Sequence, residues 1–351
     1  MAKFTSLAGL QGLPLPLIQA PMAGVQGSAL ALAVGAAGAL GSLPAAMLTA
    51  EALERELGLL AAAGQPYNVN FFCHAPPTPD AQAEARWREA LAPYFVEAGI
   101  DAAAIPAGPG RRPFDAEMAA VLERARPPVV SFHFGLPEPQ LLARVKALGA
   151  TVLASATTVD EARWLVQHGA DAVIAQGLEA GGHRGHFLDM DLTRQMGTLA
   201  LLPQVVAAVD VPVIAAGGIA TAQGVAAAMA LGAAAVQVGT AFLLCPEATT
   251  TAVHRAALQS PQAAHTALTR LFTGRPARGI VNRLIRELGA LSDAPPAFPL
   301  ATAAIAPLRA WGEKAGHGEF SPLWAGQYAS AARAVPAAEV VRSLAAGFDR
   351  A

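Results

Sequence analysis

The sequence predicts an α/β protein, a (β/α)8 or TIM barrel with a smaller, mainly helical C-terminal domain that covers the barrel mouth. Short apolar strands and helical segments alternate in about eight units between residues 15 and 245, a length close to that of a usual barrel. The chain of 351 residues is 54% hydrophobic and only 14% charged, as expected when parallel strands are buried on both faces. The C-terminal residues do not continue the alternation, which indicates a second domain.

The first βα units establish the alternation. Ser28 is expected to cap the first helix and Thr49 the second, because hydroxyl side chains accept hydrogen bonds from free amides at helix N-termini. In the third strand Asn68 and Asn70 alternate with apolar residues, which is typical of a strand with two different faces. The first three strands are expected at residues 15–20, 39–42 and 67–72.

A longer insertion at residues 76–128 interrupts the alternation. Its residues 80–98 and 115–124 predict helices, which we interpret as a flap or an additional layer of helices. Regular strands then resume. They are expected at residues 129–134, 151–156, 172–176, 211–216 and 235–238.

The predicted domain boundary lies after the last of these strands. Residues 1–245 would form the barrel, including the insertion, and residues 246–351 a substrate or cap domain, whose final helices could return to the barrel. Within the second domain, residues 250–259 and 281–288 predict helices and residues 268–272 a strand. A pocket between the two domains would be a normal place for a ligand.

Composition and charge exclude several classes of protein. The main competing architecture, a doubly wound sheet, is disfavoured because no G-x-G-x-x-G follows the first strand. A net charge of −2 provides no electrostatic case for nucleic acid binding. No signal peptide and no apolar run near the roughly 20 residues of a membrane span is present, so we expect a cytoplasmic protein. Cys73 and Cys245 lack the spacing of a disulfide framework or zinc site, and no metal is predicted.

Polar and glycine residues recur at the predicted strand ends. Because the C-terminal ends of barrel strands all lie on one face, these residues should converge. The glycine pair before a helix starting at Thr221, and the Gly-Thr pair after the next strand, fit a phosphate site built from backbone amides. We therefore expect a phosphate-bearing cofactor. The candidate residues are Met22, Asn70, Gln176, Gly217, Gly218, Gln237, Gly239 and Thr240.

Two histidines are candidates for acid/base or anion-binding roles. His133 ends one predicted strand, and His183 lies in the glycine-rich loop at residues 177–185 that follows another. In that loop Glu179 is expected to be orienting or solvated, and nothing requires Arg184 to turn inward. His186 could resemble a metal ligand, but no carboxylates support a metal site. The remaining histidines are interpreted as packed or surface residues: His74, His168, His254, His265 and His317.

The sequence resembles the FMN-dependent nitronate monooxygenases, formerly called 2-nitropropane dioxygenases. The segment Glu-Ala-Gly-Gly-His at residues 179–183 is the most specific part, and residues 323–327 (Leu-Trp-Ala-Gly-Gln) match more weakly. The other matching segments are residues 19–25 (Gln-Ala-Pro-Met-Ala-Gly-Val), 68–72 (Asn-Val-Asn-Phe-Phe), 131–135 (Ser-Phe-His-Phe-Gly), 176–185, 215–219 (Ala-Ala-Gly-Gly-Ile) and 237–240 (Gln-Val-Gly-Thr).

The resemblance implies noncovalent FMN, held by the eight strand-end candidates together with Gly181. It also implies that His183, and with it His133, face a small-molecule nitronate such as propionate 3-nitronate. The implied reaction with O2 yields a carbonyl compound and nitrite through single-electron transfer and a flavin semiquinone. His183 would hold the nitro oxygens, or remove the α-proton of a neutral nitroalkane. Lys314 and Tyr328 are further candidates for contact with the substrate.

Two other functions stay open at this point. Related barrels, among them NAD(P)H-dependent quinone and enoyl-thioester reductases, share the glycine and phosphate segments, so an NAD(P)H-dependent FMN reductase is the alternative enzyme. A barrel that binds a phosphate ligand without catalysis is the third. The oligomeric state is not predicted.

Overall fold

The computed structural model describes Phe4, residues 6–106 and residues 111–350. Eight parallel strands form a closed barrel in the order β1-β9-β8-β6-β5-β4-β3-β2, and a backbone bridge from Ile18 to Leu40 joins the two ends. The predicted TIM barrel is thereby confirmed. The barrel strands are β1 (Leu17–Gln19), β2 (Gly41–Pro44), β3 (Tyr67–Phe72), β4 (Val129–His133), β5 (Thr151–Ala156), β6 (Ala172–Gln176), β8 (Val213–Ala216) and β9 (Ala235–Val238).

Successive side chains of each barrel strand point alternately into the barrel and toward the surrounding helices, which creates two separate hydrophobic cores. Inside the barrel, Ile18, Ile174 and Ile214 pack with Phe4 and Leu10 at the end away from the mouth. The other faces of the strands pack against the surrounding helices. In chain order the helices are α1 (Ser28–Ala36), α2 (Ala50–Ala62), α3 (Ala81–Ala98), α4 (Ala116–Ala125), α5 (Pro139–Ala147), α6 (Val159–Gln167), α7 (Thr198–Ala208), α8 (Ala222–Ala230), α9 (Ala252–Leu258), α10 (Arg283–Leu288), α11 (Ala301–Lys314) and α12 (Ala337–Ala345).

The helix that closes the outer ring comes from the end of the chain. Helix α12 packs between α1 and α8, and its Val340, Val341 and Leu344 share a core with Leu30 and Val225. A TIM barrel needs an outer helix at this position to cover the apolar faces of β1 and β9. The last helix therefore belongs spatially to the barrel.

The predicted insertion divides into two parts with different neighbours. Helix α4 is an ordinary barrel helix, which packs between α2 and α5. Helix α3 instead packs on α11, where the indole of Trp87 donates to the carbonyl of Ala301 at 3.0 Å. A separate hydrophobic core joins α3 to α10 and α11 through Leu91, Phe95, Ile285 and Leu308. The cap over the barrel mouth is therefore built from two distant stretches of chain.

The cap also contains a small sheet that the sequence reading only partly anticipated. Strand β10 (Thr266–Thr269) pairs antiparallel with β11 (Ala277–Ile280), and β11 pairs with β7 (Gly182–His183) from the glycine-rich loop. The strand expected at residues 268–272 lies a few residues earlier. This sheet attaches the loop after β6 to the cap.

Helix starts confirm one predicted cap and correct another. Thr49 caps α2, because its hydroxyl accepts from the amide of Ala52 at 3.2 Å. Ser28 is instead the first residue of α1, and Gly27 occupies the cap position without a side-chain hydrogen bond. The amide of Ser28 donates to Glu56 at 2.7 Å, so a carboxylate from α2 takes the place of the expected hydroxyl. No helix in the described ranges is long and apolar enough to cross a membrane.

Candidate active site

A cavity at the C-terminal ends of the barrel strands lies between the barrel mouth and the cap. The eleven residues predicted at the strand ends and in the glycine-rich loop all line it, which follows from the parallel orientation of the strands. They are Met22, Asn70, His133, Gln176, Gly181, His183, Gly217, Gly218, Gln237, Gly239 and Thr240. Their roles toward a ligand are a separate question.

The ends of β8 and β9 form a cradle of backbone amides. Gly217 and Gly218 have φ of 124° and 69°, a conformation that residues with a side chain rarely adopt. The amides of Gly218 and Thr240 have no protein acceptor in the part of the chain that the structure describes. Thr221 caps α8 directly behind them, so the positive end of the helix dipole adds to the site. This arrangement suits a phosphate group.

The polar side chains deeper in the cavity are held in different ways. Asn70 donates to the hydroxyl of Ser131 at 3.0 Å and to its carbonyl at 3.2 Å. Gln176 donates to the carbonyl of His183 at 3.0 Å and accepts from the amide of Gly185 at 2.8 Å. Its amide therefore fixes the glycine-rich loop. Gln237 differs, because its buried Oε1 has no partner in the described structure and is available to a ligand donor.

Glu179 also orients the glycine-rich loop. Its carboxylate accepts from the amide of Thr198, at 2.9 and 3.0 Å, and lies 2.9 Å from the Thr198 hydroxyl. These contacts connect the loop to the start of α7, where a carboxylate is favoured by the helix dipole. Of the two roles considered for Glu179, the orienting one matches the geometry.

His183 projects from β7 into the cavity. Its Nε2 lies 2.9 Å from the hydroxyl of Thr273, while Nδ1 has no hydrogen-bond partner among the described residues. The ring is surrounded by aromatic side chains, and its centroid lies 5.3 Å from that of the Phe298 ring and 5.5 Å from that of the Trp324 ring. Burial, followed by the charge of Arg111, holds the pKa of His183 well below its usual range. The imidazole is therefore neutral near pH 7, with Nδ1 open to a ligand.

His133 lies in the same cavity, but both of its ring nitrogens are occupied. Nδ1 is 3.0 Å from the Ser155 hydroxyl and Nε2 is 3.2 Å from the carbonyl of His183. Because a carbonyl only accepts, we assign the proton to Nε2. Burial lowers the pKa of His133 to about 3. This geometry favours a positioning role for His133 behind the loop that carries His183.

Arg184 corrects the sequence reading, in which nothing required it to turn inward. It is fully buried, and its guanidinium donates to the carbonyls of Gln176 and Gly177 and to Oε1 of Gln195, each at 2.7 Å. These carbonyls lie at the end of β6, where the strand turns into the loop. The planar guanidinium places its five N–H donors on three nitrogens and can reach these three acceptors at once. The single ammonium nitrogen of a lysine could not reach all three.

The cap contributes residues to the cavity that the sequence reading missed or set aside. His254, interpreted as a packed or surface residue, is 4% exposed and lines the cavity, and its Nε2 has no partner in the described chain. Arg111 and Trp324 also line it, and so does Tyr328, which was proposed. Lys314, the other proposed residue, is exposed at the end of α11 and is not among the lining residues. Of His254, Arg111 and Trp324, only Trp324 had a sequence signal, from the weakly matching segment at residues 323–327.

The fold and the cavity define a TIM-barrel enzyme with its site at the C-terminal ends of the strands. Comparison with known proteins identifies the family. Residues 5–347 match the family profile described as nitronate monooxygenase. The chain is 43% identical to a nitronate monooxygenase of Pseudomonas aeruginosa, over 97% of each protein. The chain belongs to the nitronate monooxygenase family, whose members are flavin-dependent oxidoreductases.

Solved structures agree with this assignment. A nitroalkane oxidase from Streptomyces ansochromogenes is 43% identical and superposes with a TM-score of 0.89, covering 97% of this chain and 98% of the other. FabK from Thermotoga maritima is more distant, at 25% identity and a TM-score of 0.73, with 99% and 95% of the two chains covered.

Proposed function

We propose that the protein uses FMN to oxidise alkyl nitronates, such as propionate 3-nitronate, with O2 to a carbonyl compound and nitrite. The observation that carries the proposal is His183, a neutral imidazole whose free Nδ1 faces the cavity beside a backbone cradle suited to phosphate. A nitronate is already the deprotonated anion of a nitroalkane. Its oxidation therefore needs a hydrogen-bond donor at the nitro oxygens more than it needs a strong base.

The cavity fits a flavin mononucleotide on two independent counts. The free amides of Gly218 and Thr240 match a terminal phosphate. The unpartnered Oε1 of Gln237 matches a ring donor such as an N–H of the flavin. The bound flavin would supply the acceptor for the electrons of the nitronate. We propose that Met22, Asn70, Gln176, Gly181, Gly217 and Gly239 complete its contacts.

Thr273 determines what His183 can do. A threonine hydroxyl both donates and accepts, so it can pair with either tautomer of the ring. When Thr273 donates to Nε2, the proton of His183 lies on Nδ1 and can be donated to a nitronate oxygen. When Thr273 accepts from Nε2, Nδ1 is a free base that can remove the α-proton of a neutral nitroalkane. The same pair of residues can therefore serve both substrates.

The substitution His183→Asn tests the proposal. The variant should keep bound FMN, because the cradle is untouched, but lose most nitronate turnover, by about a hundredfold or more. Oxygen consumption with a nitronate and the flavin absorbance of the purified protein measure the two properties. His265→Asn, an exposed histidine outside the cavity, is the matched control. Turnover at the wild-type level in His183→Asn would remove His183 from the mechanism.

An NAD(P)H-dependent flavin reductase is the second candidate, because the backbone resembles that of FabK over almost the whole chain. Anaerobic mixing separates the two functions. Bleaching of the flavin by a nitronate and not by NADH or NADPH supports the first. The reverse result favours the second, and a protein that stays colourless after FMN addition favours the non-catalytic phosphate-binding barrel.

A further inference from the structure

A second cavity adjoins the active site, and Phe72 and Arg111 line both. Its walls are mostly apolar and come from the barrel side, with Phe114 and Met118, and from helix α11 of the cap, with Ala303. The two cavities therefore meet at Arg111. A ligand at His183 that carries a chain could extend past this residue.

Arg111 is the charged residue that lines both cavities in the described part of the chain. In the part of the chain that the structure describes, its guanidinium has no carboxylate and no other hydrogen-bond partner, and it lies 5.9 Å from the centroid of the Phe298 ring. It is also the only described side chain with a formal charge that lines the active-site cavity. A partly buried charge without a partner is costly, so an anionic ligand would gain from meeting it.

The other charges around the second cavity are already paired. Arg112 pairs with Glu117 at 2.8 Å, and Arg309 pairs with Glu313 at 2.8 Å. The one acidic residue among the described lining residues is Asp115, whose carboxylate lies 3.8 Å from Arg112. With Arg112 and Arg309 paired, Arg111 is the arginine of this chamber that has no carboxylate partner among the described residues and can bind an anion.

The position of Arg111 is also built in. The Nε2 of His74, a buried residue just after β3, lies 3.0 Å from the carbonyl of Arg111. Phe298 then connects Arg111 to the reacting region, because its ring is 5.9 Å from the guanidinium and 5.3 Å from the His183 ring. The two groups flank one aromatic side chain, a separation that a short carbon chain spans.

We propose that Arg111 is a specificity residue that binds a terminal carboxylate on the substrate. The preferred substrates are then nitronates whose chain runs from His183 past Phe72, which lines both cavities, to Arg111 and ends in an anionic group. This inference rests on the proposed nitronate oxidation and names the substrate class of the same site. Charge complementarity selects the carboxylate, and the apolar chamber accommodates the chain.

The test compares two substrates of the same chain length whose far ends are anionic and neutral, the nitronate of 5-nitropentanoate and that of its methyl ester. For Arg111→Met, KM for the carboxylate should rise about tenfold to a hundredfold while KM for the ester changes less than about threefold. Arg111→Lys should restore much of the difference, since it returns the charge without the planar fork. Arg144→Met, which removes a partly exposed arginine on α5 outside both cavities, is the matched charge control.

Equal changes for the two substrates, or no change, would overturn the inference and leave nitronate oxidation standing. If the wild-type protein oxidises neither of these substrates nor propionate 3-nitronate, the proposed function fails, and calorimetric titration with glutarate still tests the site. Binding of glutarate that is lost in Arg111→Met and kept in Arg144→Met supports the carboxylate site. Undetectable binding, or equal binding by the two variants, refutes it.

Discussion

Replacing Arg184 by methionine should destabilise the protein through three buried acceptors. The guanidinium is the donor to the carbonyls of Gln176 and Gly177 and to Oε1 of Gln195. The carbonyl of Gly177 keeps a second donor, the amide of Ala180 at 3.1 Å, so two acceptors are left without a donor, each at a cost of about 1–2 kcal/mol. The bond lost to Gly177 roughly offsets the relief from burying a guanidinium that has no carboxylate partner among the described residues, so the net loss should be about 2–4 kcal/mol.

This loss converts into a measurable shift of Tm. Unfolding entropy near 60 °C is about 2.1 cal/mol/K per residue, or about 0.74 kcal/mol/K for this chain. The expected decrease of Tm is therefore about 3–5 °C, measured by circular dichroism at one heating rate. The control is Arg144→Met, whose exposed ion pair with Glu123 should contribute less than about 1 kcal/mol, or about 1.4 °C. A Tm for Arg184→Met within about 1 °C of wild type would refute the assignment of Arg184 as the structural donor at this loop.

Two further predictions concern the cofactor loop and pH. In Gly181→Ala the new Cβ would lie 2.5 Å from the amide nitrogen of Gly326, so FMN should bind at least about tenfold more weakly in a fluorescence titration. The control is Gly58→Ala, which has open space around the new Cβ and should bind FMN like wild type. Wild-type affinity in Gly181→Ala would contradict the close approach. Burial keeps His133 neutral, with a pKa of about 3 in the folded protein against 6.5 in the unfolded chain. Between these two pH values only the unfolded chain binds the proton, so the free energy of unfolding falls as the pH falls from 6.5 toward 3. His133→Gln should therefore lose less stability than wild type between pH 7 and pH 5 in urea titrations, and equal losses would argue against a buried neutral ring.

The barrel and the strand-end residues were accessible from the sequence for a physical reason. In a parallel barrel the C-terminal end of every strand lies on one face, so recognising a strand also places the residue that follows it. Gln237 and Thr240 could be assigned to the cavity in this way, 167 and more residues from Asn70. The glycine pair at 217–218 was informative because positive φ and close approach restrict such positions to glycine.

Local sequence was less informative where a partner from elsewhere decides the structure. Ser28 looked like a helix cap, but the carboxylate of Glu56 binds its amide. Arg184 follows a histidine in a glycine loop, where an arginine is ordinarily solvated. Only folding surrounds it with the carbonyls at the end of β6.

The sequence by itself determined the barrel and the residues at the strand ends, because alternation and strand direction are local properties, and its motifs carried the resemblance to the family. The tertiary structure decided the cap side of the site. It packs helix α3 from the insertion on α11 from the tail, places His254 and Trp324 over the barrel mouth, and puts Arg111 between two cavities with no counterion among the described residues. These contacts join stretches more than a hundred residues apart, and no periodicity in either stretch encodes the pairing. The cap side of the cavity is therefore a property of the folded chain.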